Sequence, residues 1–376
     1  MKNIIKIFGF FVIGGLIGGA GTLGVICLFG DKSFAEIGEK LLSTHWGTIL
    51  GESLKAFVFL IIAIYLQIIL HECGHLLCGL FSGYKFVSFR ILNLTFVREK
   101  GKLCVKRFDI AGTGGQCLLS PPDLPVDKTP VALYNLGGVL MNLFVSLLAL
   151  GLWSALGWQF GLYLGIFGIL FALLNGIPLK MGGIGNDGYN QLLLRRNPSS
   201  KRALLMQLRI NARIQAGEVP LDLPEEWFSK EEPDYQDALQ IGHYLMNISR
   251  LQESHQWESA YNALKNALKH QKEIIGIFVK EILCELLYTT LVLGKNEEAR
   301  RLYTDDLKAY IDQFKKYSST KQRLLFAIAL YRDHDPEKAR AIYEEVSHKQ
   351  KSYLMQGEVK MDLKLMEDSL NDKMSN

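Results

Sequence analysis

The sequence predicts a mainly α-helical, polytopic membrane protein with a small β-rich insert and a soluble helical domain at its C-terminal end. Three observations predict it. Four stretches, about 4–29, 54–81, 130–153 and 157–179, each reach the roughly 20 apolar residues needed to cross a hydrocarbon core. Between the second and third lies a segment, about 84–125, that alternates like strands and is punctuated by glycine and proline. After about residue 200 the chain becomes charged and rich in Leu, Ala and Tyr, with helical periodicity. A length of 376 residues fits about two domains: a membrane domain over 1–200 and a helical domain over 237–376, joined by an amphipathic segment and linker over 201–236.

The first stretch follows Met1-Lys2-Asn3, as a signal peptide would, but its apolar region is too long and lacks a small-x-small cleavage site. We read it as a retained span, in which Gly14, Gly15, Gly18 and Gly19 allow close helix packing. Residues 30–53 read as a short external helical connector. In the insert, Phe86–Phe89, Leu92–Val97 and Leu103–Phe108 read as strands, with a turn at Glu99-Lys-Gly-Lys102. A glycine-rich strand over 110–119 follows, and Pro121-Pro122 closes the segment. Such backbone is tolerated at membrane depth only when protein or a water-filled cavity covers it.

Basic residues set the orientation. Lys2 and Lys6 precede the first span, seven Lys and Arg between Lys85 and Arg107 follow the second, and six between Arg195 and Arg213 follow the fourth. The opposite ends are poorer in both, so both termini face the cytosol, and the absence of organelle signals suggests a bacterial cell membrane. A net charge of +4 gives no case for nucleic acid. The six cysteines (27, 73, 78, 104, 117 and 284) form no CxxC pair and read as reduced, packed thiols; Cys73 and Cys78 are packing residues.

Beyond a proline-containing stretch at 214–236, three tetrads recur at spacings of 39 and 40: Trp257-Glu-Ser-Ala260, Asn296-Glu-Glu-Ala299 and Pro336-Glu-Lys-Ala339. Each is followed four places on by a large apolar residue, Leu264, Tyr303 or Tyr343. Tandem helical hairpins of tetratricopeptide type are the natural reading, with a period longer than the usual ~34. The histidines of this region (243, 255, 270, 334 and 348) lack ligand spacing and read as surface or satisfied core residues.

The chemistry lies in the second span. His71-Glu72-Cys73-Gly74-His75 ends an unbroken apolar run over 57–70. Residues four apart share a helix face, so both histidines can reach one metal ion, and Glu72 can address a water bound to it. Ionisable residues in a membrane helix are costly and usually functional. His75 would sit roughly 10 Å inside the cytosolic end of the span, at a rise of about 1.5 Å per residue. A catalytic zinc takes three protein ligands and keeps a position for water. Glutamate is absent between Glu99 and Glu218, which leaves Asp109, Asp123, Asp127 and Asp187 as candidates for the third; Asp187 lies just past the cytosolic end of the fourth span.

The chain resembles the site-2 protease family of intramembrane zinc metallopeptidases. The resemblance rests on His71-Glu72-Cys73-Gly74-His75, Gly138-Val-Leu-Met-Asn142, and Asn175-Gly-Ile-Pro178 followed by Asp187-Gly188, in this order on three consecutive spans, and covers roughly residues 54–190. It implies that Asp187 is the third zinc ligand and that Asn142 and Asn175 lie near the site and steady the scissile carbonyl. It also implies that the strand around Gly114 and Gly115 holds substrate as an added strand. Two departures stand out: a longer gap between Pro178 and Asp187, filled by Met181-Gly-Gly-Ile-Gly185 as a flexible loop, and Asn186 where Leu is usual.

The expected function is zinc-dependent cleavage of a membrane-spanning or membrane-anchored protein or peptide near the cytosolic side, with Glu72 as general base. The helical domain would recruit a cytosolic partner. The rival reading is an inactive membrane scaffold that uses its helical repeats alone, and an intact Glu72 argues against it.

Overall fold

The computed structural model describes residues 39, 43, 45–99, 102–107 and 114–375. The first expected span (4–29), the turn residues 100–101, Asp109 and the start of the 110–119 strand lie outside the described residues. Contacts divide the chain into two units, 1–62 and 63–376. In the first, the described residues are helical almost throughout, and Lys55 pairs with Glu52 across one turn at 2.5 Å.

Among the described residues, three helices are long and apolar enough to cross a membrane: α1 (Trp46–Phe81), α2 (Ala132–Leu156) and α3 (Gln159–Gly176), which fits a membrane protein. Helix α1 begins earlier than the expected span, so residues 46–53 continue it instead of forming a connector. Nothing in its first turns stops a helix: no proline intervenes, and Gly51 is flanked by Leu50 and Glu52, both good helix formers. Phe144, Leu147, Ile166 and Leu173 turn outward and are exposed, as hydrocarbon solvent permits. Inward positions are small. A Cβ on Gly74 would lie 2.2 Å from Gly137 O and one on Gly137 2.4 Å from Gly74 O, so α1 and α2 cross backbone to backbone.

Between α1 and α2 the insert forms a four-stranded antiparallel sheet, β1 (Lys85–Ile91), β2 (Leu94–Glu99), β3 (Lys102–Arg107) and β4 (Gly115–Ser120), in the order β3-β2-β1-β4. The β1–β2 turn is Leu92-Asn93, with Leu92 in the left-handed region (φ 51°). The last strand closes back on the first, which leaves β4 at an edge.

After α3, Lys180–Met181 (β5) and Ile184–Gly185 (β6) pair as a hairpin around Gly182 and Gly183, whose φ values of 59° and 89° suit a two-residue turn of primed type. This corrects the expectation of a flexible loop: two consecutive glycines at the only positions needing positive φ make the segment a defined turn. Helices α4 (Asp187–Arg196) and α5 (Pro198–Ala216) follow, then two short 3-10 turns. The proline-containing stretch read as a linker is packed: Leu223 and Phe228 are buried, and Leu221 N donates to Glu253 Oε2 at 2.8 Å.

The remainder is helical: α6 (Ala238–Glu253), α7 (Trp257–Lys269), α8 (Gly276–Val292), α9 (Asn296–Leu302), α10 (Asp305–Phe314), α11 (Ser319–Ala327), α12 (Pro336–His348) and α13 (Gln356–Ser375). The tetrads open α7, α9 and α12, and Ala260, Ala299 and Ala339 are each fully buried. Apolar layers succeed one another and share helices: α8 gives Ile282 and Leu286 to one layer and Leu287 and Leu291 to the next, where Leu324 of α11 joins them. The cysteines among the described residues are free, and His243 is a satisfied core residue, 2.6 Å from Trp227 O.

Candidate metal centre

Helix α1 presents His71 and His75 one turn apart, and the hairpin β5–β6 delivers Asp187 to them. Asn186 makes that delivery. Its side-chain oxygen caps α4 by accepting from Tyr189 N (2.9 Å) and also accepts from Leu179 N (3.1 Å). Its amide donates to Leu174 O and Ile177 O, each at 2.6 Å. One side chain therefore ties the end of α3 to the start of α4. Leucine could supply none of these bonds, which explains asparagine here. Asn135 Nδ2 of α2 donates to Asp187 O at 2.6 Å and steadies the same turn.

Three donor atoms converge. His71 Nε2 and His75 Nε2 are 3.1 Å apart, and Asp187 Oδ2 is 3.1 Å from the first and 3.4 Å from the second. Ligands at about 2.0–2.1 Å in a tetrahedron stand about 3.3 Å apart, so the triangle has the size of one face of a metal's coordination shell. The second nitrogens are occupied elsewhere: His71 Nδ1 lies 2.7 Å from Asn142 Oδ1 and His75 Nδ1 2.8 Å from Tyr134 O. Oxygens there fix the proton on Nδ1 and leave Nε2 a lone pair, as in metal-bound histidines with oriented partners. Asp187 Oδ2 is buried with no hydrogen-bond partner. Lone pairs and an unpartnered carboxylate oxygen facing one another repel, unless a cation lies between. This group could hold a metal ion.

Of the four aspartates open to the sequence, Asp187 joins the histidines; Asp123 and Asp127 belong to no such group among the described residues. Glu72 is 9% exposed and packs on the start of β4, where a Cβ on Gly115 would meet its Cγ at 2.5 Å. Gly114 lies against Ile68. Both glycines thus stand beside the motif helix, at the head of an edge strand. Gly138 serves the ring of His71, which a Cβ would approach to 2.5 Å.

The two asparagines differ. Asn142 is fully buried, and its Nδ2 donates to Gln67 O (2.9 Å) and Gln67 Oε1 (2.6 Å). Both amide hydrogens are used, so Asn142 orients His71 and has no donor left for a substrate carbonyl. Asn175 donates to Phe171 O one turn back at 3.0 Å, and no hydrogen bond joins its side chain to the three ligand residues. Sequence reasoning missed Gln67, Asn135 and the Tyr134 carbonyl. Gln67 carried a signal: an amide inside the apolar run, one turn ahead of His71.

Comparison with protein-family models, with curated proteins and with solved structures returns no match.

Proposed function

We propose that this chain is a zinc-dependent intramembrane endopeptidase of site-2 protease type, which cuts membrane-spanning or membrane-anchored segments near the cytosolic side. The observation that carries the reading is the triangle of His71, His75 and Asp187 with Glu72 beside it, at the end of an apolar helix. Two imidazoles and one carboxylate suit zinc and leave room for a fourth ligand.

When bound, zinc polarises a peptide carbonyl and acidifies a water molecule. His71, His75 and Asp187 hold the ion, with Nδ1 of each ring anchored so that Nε2 points inward. Glu72 takes the proton of the attacking water on a carboxylate oxygen and returns it to the departing amide nitrogen. Its packing on Gly115 aims it towards the head of β4. An unwound substrate added along β4 would regain the backbone hydrogen bonds lost with its helix, on taking over Gly115 O and Cys117 O, which accept from Arg90 and Tyr134 here. The absence of a side chain at Gly115 leaves room for Glu72 against the head of that strand.

The distribution of Lys and Arg supports cytosolic termini, with a further span over 4–29 giving four. The buried tetrad alanines and shared layers support a tetratricopeptide-like domain that recruits a cytosolic partner. Its Ile275 packs on Gly183 of the hairpin that leads to Asp187, which offers a path from partner to site.

The test compares purified wild type with Glu72→Gln for bound zinc and for cleavage of short membrane-spanning peptides. One zinc in both proteins and cleavage by the wild type alone is the expected result. A wild type that takes up no zinc when it is supplied overturns the proposal.

A further inference from the structure

We infer that Gln67 is the positioning residue that selects which nitrogen of His71 faces the metal; the inference rests on the metal-centre reading above. Gln67 lies one turn before His71 on the same face of α1 and is fully buried. Its Nε2 donates to Leu164 O of α3 at 2.8 Å. A main-chain carbonyl can only accept, so the amide nitrogen is held on that side and Oε1 is turned towards α2. There Oε1 meets Asn142 Nδ2 at 2.6 Å, and the second hydrogen of Nδ2 goes to Gln67 O at 2.9 Å. Asn142 Oδ1 is thereby left facing His71 Nδ1 at 2.7 Å. An amide oxygen only accepts, so the proton resides on Nδ1, and the neutral ring keeps its lone pair on Nε2. That nitrogen points at His75 Nε2 and Asp187 Oδ2.

An isolated amide cannot choose; here two acceptors of Gln67, its main-chain oxygen and its Oε1, hold Asn142 the same way round. An amide turned through half a revolution has almost the same shape but would present Nδ2 to the ring. His71 would then carry its proton on Nε2, where the metal belongs. His75 needs no such device, since a backbone carbonyl, Tyr134 O, faces its Nδ1 directly. In hydrocarbon no water can substitute for a missing link. The fold clears space for the relay: a Cβ on Gly168 would lie 2.2 Å from Gln67 Nε2. The Leu164 carbonyl on α3, acting through the Gln67 side chain, thus reinforces the orientation of Asn142 that the Gln67 main-chain oxygen also favours.

A merely structural glutamine would bond neighbouring helices and nothing more. The two roles separate in a double-mutant cycle on the full chain in detergent, stripped of metal and titrated with Zn2+ against a chromophoric chelator. Gln67→Leu is expected to weaken Zn2+ binding by about tenfold, the low end of the cost of losing an outer partner of a ligand, because the main-chain oxygen still favours the same orientation of Asn142. In an Asn142→Asp background the same change should cost less than about twofold, because a carboxylate offers an acceptor oxygen whichever way it turns. Unchanged affinity in Gln67→Leu, or equal losses in both backgrounds, overturns the relay. If Gln67→Leu does not fold, Gln67→Glu supplies the test. Its carboxyl, kept neutral by burial, retains one donor and one acceptor, so affinity should stay within about threefold, and a loss beyond about tenfold overturns the relay. A wild type that binds neither Zn2+ nor Co2+ removes the centre itself, a result distinct from failure of the relay.

Discussion

The membrane-type helices and the C-terminal helical region differ in which large side chains they bury and which they turn outward. In α1, α2 and α3, the fully buried side chains include Gln67, Asn142 and Ser146, while Phe144, Leu147 and Leu173 face outward. In α6 to α13, Leu264, Leu287, Leu324 and the three tetrad alanines fill the interior. Where the surroundings are hydrocarbon, burying an apolar group gains little, and association rests on close packing and interhelical hydrogen bonds. Where the surroundings are water, apolar burial is the main driving force. A buried polar group in the first region therefore needs a reason, and here each one leads to His71 or to a helix it packs against. Substitutions in the two regions should accordingly be read out differently: as chemistry in the first, as stability in the second.

The largest effect expected is that of Glu72→Gln, which should lower the cleavage rate by about 10²–10⁴-fold, the usual worth of a general base, with metal content unchanged. Retained cleavage would assign the proton transfer to another group. Next comes Gly138→Val. A methyl group would begin 2.5 Å from the His71 ring, so Zn2+ affinity should fall by roughly 10–100-fold through displacement of the ligand. A normal titration would mean that the ring has another place to go. Ala299→Leu makes the contrast sharper. Overfilling that closed position between α8 and α9 should cost about 1–3 kcal/mol in thermal or denaturant unfolding and leave Zn2+ affinity alone. A change in metal affinity instead would show that the helical region is strongly coupled to the site.

How far the sequence could be read differs between the regions for the same physical reason. The pair His71 and His75 was legible because its geometry is local to one helix. Asp187 was not legible from spacing alone, since it is brought in by the β5–β6 turn and the Asn186 cap, both tertiary arrangements. The strands of the insert were legible from alternation and turn residues, but not their order, because β4 returns past β2 and β3 to pair with β1. Gln67 is hard to single out within an apolar run, and the cost of an unpartnered amide in hydrocarbon is its one local signal. In the helical region the tetrads marked helix starts, because small residues there are set by the close approach of neighbouring helices. The prolines of 214–236 suggest a linker, whereas the buried Leu223 and Phe228 are the apolar residues by which it packs.

The smallest effect expected is a slope in pH, and it tests an exception to the contrast. Asp362 of α13 is fully buried among Arg323, Lys321, Glu285 and Glu358. Burial pushes its carboxyl up to about 6, although Arg323 Nε at 3.2 Å pulls the other way. Glu358, one turn before it, is displaced in the same direction by burial. An unfolded aspartate titrates near pH ~3.9. The folded state therefore holds this proton more tightly, so the stability it contributes is present at low pH and is lost as pH rises through about 6. Asn at this position mimics the neutral acid at every pH. The melting temperature of Asp362→Asn, followed by far-UV circular dichroism, should match the wild type below about pH 3.9, exceed it progressively as pH rises to about 6, and stay above it by a constant amount beyond about pH 7. Taking the difference between the two proteins cancels the titration of all other groups. A difference that is flat with pH would mean that Arg323 fully compensates the carboxylate, and that the helical region tolerates a buried ion pair as readily as the membrane helices tolerate their amides.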